Sequence, residues 1–224
     1  MGQLHQKMQA DLELRGFATT TQTEYLRRAR HFAAHYMRSP VEMGEQEIRD
    51  YLLYLVNEKR VRPATHRMYV AALKFLYTVT LGRPDSVVNI PWPKVPRPLP
   101  DILSGEEIER LLAAVRGIKH RAILMTAYGA GLRISEACTL EIGDVDSQRM
   151  LIHIRYAKGA KDRYVMLSER LLVSLRHYCR RARPRGPYLF PGGKPDRAIT
   201  PGAVQRVLRK AVVDCALAKR VTPH

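Results

Sequence analysis

The sequence predicts a mainly α-helical protein with a small antiparallel β-sheet, arranged as a helical bundle followed by a mixed α/β domain. Three observations lead to this prediction. Apolar residues recur at helical spacing throughout residues 4–82. Six of the fourteen prolines fall within residues 84–100, where they interrupt regular structure. Beyond them, two short runs of alternating apolar and polar residues stand between further helical stretches.

The bulk composition limits the class of protein. A chain of 224 residues fits one large domain or two small ones, and it has neither an apolar membrane-spanning run nor an apolar signal region. Cys138, Cys179 and Cys215 lack CxxC spacing, which favours reduced thiols in a cytoplasmic protein. His31 and His35 are four residues apart but lack a third ligand, so no metal site is expected.

Positive charge extends over both halves of the chain. There are 38 Lys and Arg residues against 21 Asp and Glu residues, which gives a net charge of +17. Residues 1–100 carry 15 basic and 9 acidic side chains, and residues 101–224 carry 23 and 12. This distribution argues against a neutral enzyme with a basic tail and favours a polyanion partner, most simply nucleic acid. On charge alone, a ribosome-associated or simply basic protein remains open.

The chain is expected to fold as two domains joined by a linker. Residues 1–83 are predicted to form a basic four-helix bundle, because four stretches each place their apolar positions on one helical face. Residues 84–100 are predicted to be an extended linker without helix, because proline disfavours helical backbone. Trp92 is expected to anchor this linker on one domain. Residues 101–224 are predicted to form the second domain.

The second domain is predicted to combine helices with one hairpin. Ser104 and Glu107 have the spacing of a capping box, which predicts a helix start. Further helices are predicted at 118–130, 134–141, 168–183 and 203–218. The runs 150-MLIHIRY-156 and 163-RYVML-167 predict a β-hairpin with Lys158 in or beside its turn.

One arginine stands where glycine interrupts a helix, in the stretch 127-AYGAGLRISEACTLEIGDVD-146. Gly129 and Gly131 break the helix and allow close backbone approach, and Arg133 follows at the bend. An arginine is rarely buried without a partner, and its planar fork can bind two phosphate oxygens. Glu136 lies three residues further on, so an internal ion pair is the alternative interpretation of Arg133.

The hairpin turn carries a second candidate cation. A hairpin tip can enter a DNA groove, so Lys158 can present its ammonium group to a backbone phosphate, with Lys161 as a nearby competitor for that role. The alternative interpretation is an ordinary solvated turn lysine.

These motifs together resemble the tyrosine recombinase (phage integrase) family, most closely its integron-integrase and chromosome-dimer-resolving type. In the second domain the resemblance is carried by AYGAGLRISEACTLEIGDVD, AKGAKDRYVML and the terminal VTPH. In the first domain it is carried by TTTQTEYLRRARHFAAHY and VRPATHRMYVAALKFLYTVTLG. GLRISE followed by the KG hairpin is more specific than either motif alone. The resemblance implies a helical core-binding domain and a catalytic domain of the DNA breaking-rejoining type.

The resemblance also implies a reaction and the residues that perform it. Family members cut and rejoin duplex DNA through a 3′-phosphotyrosine, without a metal or other cofactor. Arg133 would hold the scissile phosphate with support from Glu136, Lys158 would protonate the departing 5′ hydroxyl, and His224 would act as an acid/base and phosphate contact. Fixed cations can stabilise the charge that builds on the phosphate oxygens, and a positioned lysine can supply the proton.

The sequence ends at His224, before the second arginine and the nucleophilic tyrosine that the resemblance implies, and none of its eleven tyrosines has the context of that nucleophile. An incomplete catalytic domain that binds duplex DNA without cleaving it is therefore expected. Apolar residues of the last helix, among them Val204, Leu208 and Ala211, are expected to lack their cover. The alternative is a non-catalytic DNA-binding remnant that occupies recombination sites. A basic RNA-binding bundle would leave GLRISE and the lysine hairpin unexplained.

Basic side chains of both domains are candidates for contact with the DNA backbone, because two basic domains joined by a linker can close around a duplex. The candidates in the first domain are Arg27, Arg28, Arg30, Arg67 and Lys74. Those in the second domain are Lys161, Arg163, Arg206 and Arg209. The resemblance implies homo-tetramers on DNA for complete relatives, whereas this chain is expected to be a monomer off DNA, with no membrane partner.

Overall fold

The computed structural model describes residues 2–96, 99, 101–157, 161–219 and 221–222. The chain divides into two compact units, Met1–Pro98 and Leu99–His224, each with its own apolar core. Unit 1 is helical, and unit 2 combines helices with a three-stranded antiparallel sheet. The prediction of a mainly α fold with a small sheet is therefore confirmed. In the described part of the chain, no helix is long and apolar enough to cross a membrane.

Unit 1 is built on a core of aromatic rings. Its helices are α1 (Gly2–Leu14), α2 (Thr19–Tyr36), α3 (Glu45–Asn57), α4 (Pro63–Phe75) and α5 (Asp85–Val88), with a 3-10 turn at Pro40–Glu42 and a π-helical turn at Leu76–Thr80. Phe32 of α2 is fully buried and packs against the rings of Tyr51 and Tyr77. The Tyr77 hydroxyl donates a hydrogen bond of 2.9 Å to the carbonyl oxygen of Pro40. These contacts join α2, α3 and the π-helical turn.

The proline-rich segment departs from its prediction as a linker without helix. Helix α5 forms inside it, and Val87 and Ile90 are buried in the core of unit 1. Pro84 immediately precedes this helix and Pro91 follows it, so neither ring removes a hydrogen bond from within the turn. Proline content therefore excluded a long helix but not a single helical turn that apolar burial stabilises.

Trp92 lies against unit 1, as expected for an anchoring residue. Its ring centre is 5.5 Å from the Arg67 guanidinium and 5.6 Å from the Lys74 ammonium, both on α4. Lys74 also donates a hydrogen bond of 2.7 Å to the carbonyl oxygen of Val87. The Trp92 ring thus lies close to two cations while half of its surface stays exposed.

Unit 2 contains the predicted hairpin. Its elements are α6 (Gly105–Ala114), α7 (Ile118–Gly129), α8 (Ile134–Thr139), a 3-10 turn (Ile142–Asp144), β1 (Val145–Asp146), β2 (Leu151–Ala157), β3 (Lys161–Met166), α9 (Glu169–Ala182) and α10 (Pro201–Asp214). Strands β2 and β3 pair antiparallel with Ile152 opposite Val165, and β1 adds a third strand that the sequence pattern did not predict. The predicted capping box is confirmed, since Ser104 Oγ accepts from the Glu107 backbone N–H at 3.2 Å.

The apolar face of α10 is covered rather than open. Val204, Leu208 and Ala211 are buried in the core of unit 2, where α10 packs against α6, α7 and α8. The expectation that these positions would lack their cover is wrong, because helices earlier in unit 2 already bury them. Among the apolar residues of α10, Val213 remains exposed.

Candidate active site

The turn between α7 and α8 places Arg133 at the start of a helix. Helix α7 ends at Gly129, and Gly131 then adopts a left-handed backbone with φ of 62°, a conformation that favours glycine. The Leu132 N–H donates a 2.8 Å hydrogen bond back to the carbonyl oxygen of Ala127, which closes the turn. Arg133 follows with extended backbone as the N-cap residue of α8. The sharp turn therefore presents the Arg133 side chain at a helix N-terminus.

Glu136 fixes both the backbone and the side chain of Arg133. Its Oε2 accepts from the Arg133 backbone N–H at 2.8 Å, and its Oε1 accepts from Arg133 Nη1 at 3.0 Å. The Glu136 side chain is only 7% exposed, whereas that of Arg133 is 52% exposed. The carboxylate is thus held inside the fold while the guanidinium keeps a solvent-facing side.

A second arginine, Arg163 from β3, holds the same carboxylate with both arms of its fork. Arg163 Nη1 donates to Glu136 Oε1 at 2.9 Å, and Nη2 donates to Oε2 at 2.8 Å. The hydrogen bonds from Arg163, followed by those from Arg133, lower the pKa of Glu136 from 4.5 to about 2, although burial alone would raise it. One carboxylate is therefore shared by two guanidinium groups, and the trio carries one surplus positive charge.

The trio lies at the polar edge of an open groove in unit 2. The groove has a volume of about 1390 Å³ and is lined mainly by apolar side chains, with Arg133, Asp162 and Arg163 among its polar ones. Tyr128 of α7 lines the same groove and is 64% exposed. Because the surplus charge of the trio faces solvent at Arg133, the arrangement is suited to bind an anion with a forked oxygen geometry, such as a phosphate diester.

The stretch that contains this site, residues 101–224, matches the family described as the Phage integrase family. The chain belongs to this family. Residues 4–86 in turn match the description "Phage integrase, N-terminal SAM-like domain". The y4qK protein of Sinorhizobium fredii, which is named as an integrase/recombinase, is 46% identical over 227 residues, a match that covers 100% of this chain and 73% of y4qK. The family predicted from the motifs is confirmed.

Solved structures of other integrases and recombinases are similar in fold. A crystal structure of the XerA recombinase aligns with a TM-score of 0.51 and 26% identity, covering 100% of this chain and 80% of that one. A lambda integrase tetramer bound to a Holliday junction aligns with a TM-score of 0.76 and 14% identity, covering 99% of this chain and 68% of that one. At that identity the lambda structure supports the fold alone.

Two of the predicted catalytic residues of this integrase-family chain, Lys158 and His224, lie outside the described residues. The described hairpin ends at Ala157 and resumes at Lys161, which are paired with each other. Convergence of Arg133 and Lys158 on one phosphate therefore stays a prediction. In the described ranges, no group of three or more His, Cys, Asp or Glu side chains is placed to hold a metal ion.

The candidate DNA contacts of unit 1 differ in their surroundings. Arg28 is 6% exposed, bonded to Glu24 and stacked on the Tyr69 ring with 5.3 Å between centres, so its burial argues against its predicted contact with DNA. Arg27 is exposed and pairs with Glu24 at 2.8 Å. Arg30 is exposed on α2. Arg67 and Lys74 hold Trp92 as described above. The contacts of these residues with DNA stay predictions.

The candidate DNA contacts of unit 2 also include both exposed residues and one that is engaged inside the protein. Arg206 and Arg209 are exposed on α10, whereas Arg163 directs its fork at Glu136. The side chain of Lys161 lies outside what the structure describes. Sequence reasoning missed the pairing of Arg163 with Glu136. The sequence gives little indication of this pairing, because Glu136 is the third residue of α8 and Arg163 lies in a strand 27 residues further along the chain.

Proposed function

We propose that this chain binds duplex DNA as a subunit of a site-specific recombinase, with Arg133 in contact with a backbone phosphate. The observation that carries the proposal is the half-exposed Arg133 guanidinium, which Glu136 fixes at the polar edge of the groove. The net charge of +17 supports a polyanionic partner. Membership of the phage integrase family supports DNA as that partner.

In this proposal, residues 1–83 act as the core-binding domain, residues 84–100 connect the domains, and residues 101–224 act as the catalytic domain. In a complete enzyme, a tyrosine oxygen attacks phosphorus and forms a 3′-phosphotyrosine, while the 5′ oxygen leaves. Lys158 donates a proton to that 5′ oxygen, and His224 assists as acid/base and phosphate contact. Arg133 stabilises the charge that builds on the non-bridging oxygens. These roles follow the resemblance of the motifs to those of the family.

The 224-residue chain itself is proposed to bind DNA without cleaving it, and to be a cytoplasmic monomer off DNA. The absence of cleavage is supported by the surroundings of tyrosines in unit 2. Tyr178 is buried and donates a hydrogen bond of 3.0 Å to the carbonyl oxygen of Leu189. Tyr164 is exposed and stacks on His153, and it is not among the residues that line the groove of Arg133. Tyr128 is the tyrosine that needs a direct test, because it is exposed in the groove that Arg133 lines.

The proposal predicts strongly salt-dependent binding to a fluorescent duplex of about 30 base pairs. If roughly six to ten phosphates are neutralised, affinity falls by about three to five decades between 50 and 200 mM salt. Arg133→Gln is expected to weaken binding about tenfold and to reduce the salt slope by about one. The charge-matched control is Arg170→Gln, because Arg170 is 80% exposed and pairs only with Glu109 at 3.1 Å among its described contacts. A flat salt dependence, or equal losses in both variants, would contradict the proposal.

A suicide duplex with a bridging phosphorothiolate tests the absence of cleavage. The purified chain is expected to give no covalent protein–DNA product that survives denaturing electrophoresis. A covalent product would overturn this part of the proposal, and its loss in Tyr128→Phe would identify Tyr128 as the nucleophile. DNA binding measured on the same sample separates failure to cleave from failure to bind.

A further inference from the structure

Arg163 connects two elements that carry separate parts of the candidate site. It stands in β3, the strand that follows residues 158–160, and it bonds to Glu136 in the first turn of α8. Glu136 in turn bonds to the backbone and the guanidinium of Arg133. The Glu136 carboxylate therefore links strand β3 of the hairpin to Arg133, whose side chain faces solvent.

The geometry leaves Arg163 poorly placed for a phosphate of its own. Both terminal nitrogens point at Glu136, at 2.9 and 2.8 Å, and this fork-to-fork arrangement is the strongest geometry available to an arginine and a carboxylate. The Arg163 side chain is 34% exposed, against 52% for Arg133. If a phosphate accepted the hydrogen bonds of both Arg163 terminal nitrogens, the nearly buried Glu136 carboxylate would keep Arg133 as its remaining arginine partner.

The charges of the trio give Arg163 an effect on Arg133. With Arg163 present, two guanidinium groups share one carboxylate, so Arg133 retains positive charge for an incoming anion. Without Arg163, Glu136 and Arg133 would form a neutral pair, in which the carboxylate competes with phosphate for the same donors. Arg163 would therefore determine how much of the Arg133 charge is available to DNA.

We propose that Arg163 is a positioning residue: it holds the Glu136 carboxylate so that Arg133 keeps its orientation and its charge free for a DNA phosphate. This inference rests on the proposed contact between Arg133 and DNA. It assigns Arg163 an indirect role in place of the direct DNA contact that was predicted from the basic sequence.

The test measures affinity for the same fluorescent duplex at fixed salt in a set of variants. Arg163→Gln is expected to weaken binding about tenfold, as one charge-assisted interaction is lost. Glu136→Gln combined with Arg163→Gln is expected to recover most of that loss, because Arg133 is no longer neutralised. The matched control combines Glu109→Gln with Arg163→Gln. It has the same net charge as the first double variant, but the carboxylate that it removes is paired with Arg170, so little of the lost DNA affinity is expected to return. Arg163→Lys, which keeps the charge without the fork, is expected to be intermediate.

A second cycle shows whether Arg163 acts through Arg133. In a background of Arg133→Gln and Glu136→Gln, adding Arg163→Gln is expected to cause less than about a twofold further loss, since both the residue that Arg163 positions and the carboxylate that it holds are already gone. Additive losses, or equal recovery with Glu136→Gln and Glu109→Gln, would overturn the inference and indicate a direct phosphate contact. Near-wild-type binding by Arg163→Gln would also overturn it. If Arg133→Gln itself binds like wild type, the proposed function fails instead. Circular dichroism of each variant confirms that it is folded.

Discussion

Replacing Glu136 by glutamine is expected to lower the free energy of unfolding of unit 2 by about 3 kcal/mol at pH 7, because it breaks a nearly buried ion pair. The hydrogen bonds from Arg163, followed by those from Arg133, lower the pKa of this carboxyl from 4.5 to about 2 in the folded state. The ionised form therefore stabilises the fold fully above about pH 4.5. As the pH falls from there towards 2, the unfolded chain binds the proton first, and the stabilisation is lost.

The measurement is urea unfolding of wild type and Glu136→Gln, followed by circular dichroism between pH 7 and about pH 2.5. The difference between the two proteins should shrink as the pH falls. Glu109→Gln is the matched control, because Glu109 is 65% exposed and pairs with the exposed Arg170, so its removal should change stability by less than about 1 kcal/mol. A pH-independent difference for Glu136→Gln would mean that the ionised carboxylate is not what stabilises the fold.

Substitution of Gly186 by alanine is expected to destabilise unit 2 by about 3 kcal/mol, for two physical reasons that act together. Gly186 has φ of 85°, where a side chain is strained, and an added Cβ would lie 2.3 Å from the carbonyl oxygen of Pro195. That oxygen belongs to backbone, so it cannot rotate away as a side chain would. The loop that must move includes Leu189, whose carbonyl accepts the Tyr178 hydroxyl.

Gly193→Ala provides the control within the same loop. An added Cβ at Gly193 meets nothing within 4 Å, and its φ is not in the left-handed region. Its unfolding free energy should stay within about 0.5 kcal/mol of wild type. Thermal and urea unfolding of both alanine variants provide the measurement, and comparable stabilities would show that the loop adapts without strain.

The bundle and the hairpin could be predicted because their signals are local. Period-3.6 and period-2 apolar patterns arise from burial on one face, and the capping box of Ser104 and Glu107 depends on residues three apart. Helix α5 was missed because its four residues are too few to show periodicity. Burial of Val87 stabilises it, and that contact depends on the rest of unit 1.

The candidate site could be predicted only in part for a related reason. Arg133 and Glu136 were recognisable because they are neighbours on one helical turn. The bond from Arg163 depends on the register of β3 against β2 and on how the sheet packs beside α8, and neither is encoded by spacing alone. Similarly, Arg28 counted as a surface cation in the sequence, but packing against Tyr69 removes it from the surface.

The position of Trp92 gives the protein a built-in fluorescent reporter. It is the single tryptophan of the chain, so excitation near 295 nm isolates its emission. Its indole is partly exposed and lies close to the cationic groups of Arg67 and Lys74, both of which are candidate DNA contacts. A phosphate that draws either cation away would change the polarity and quenching around the indole. Titration with unlabelled duplex could thus follow occupancy of α4 without any attached dye.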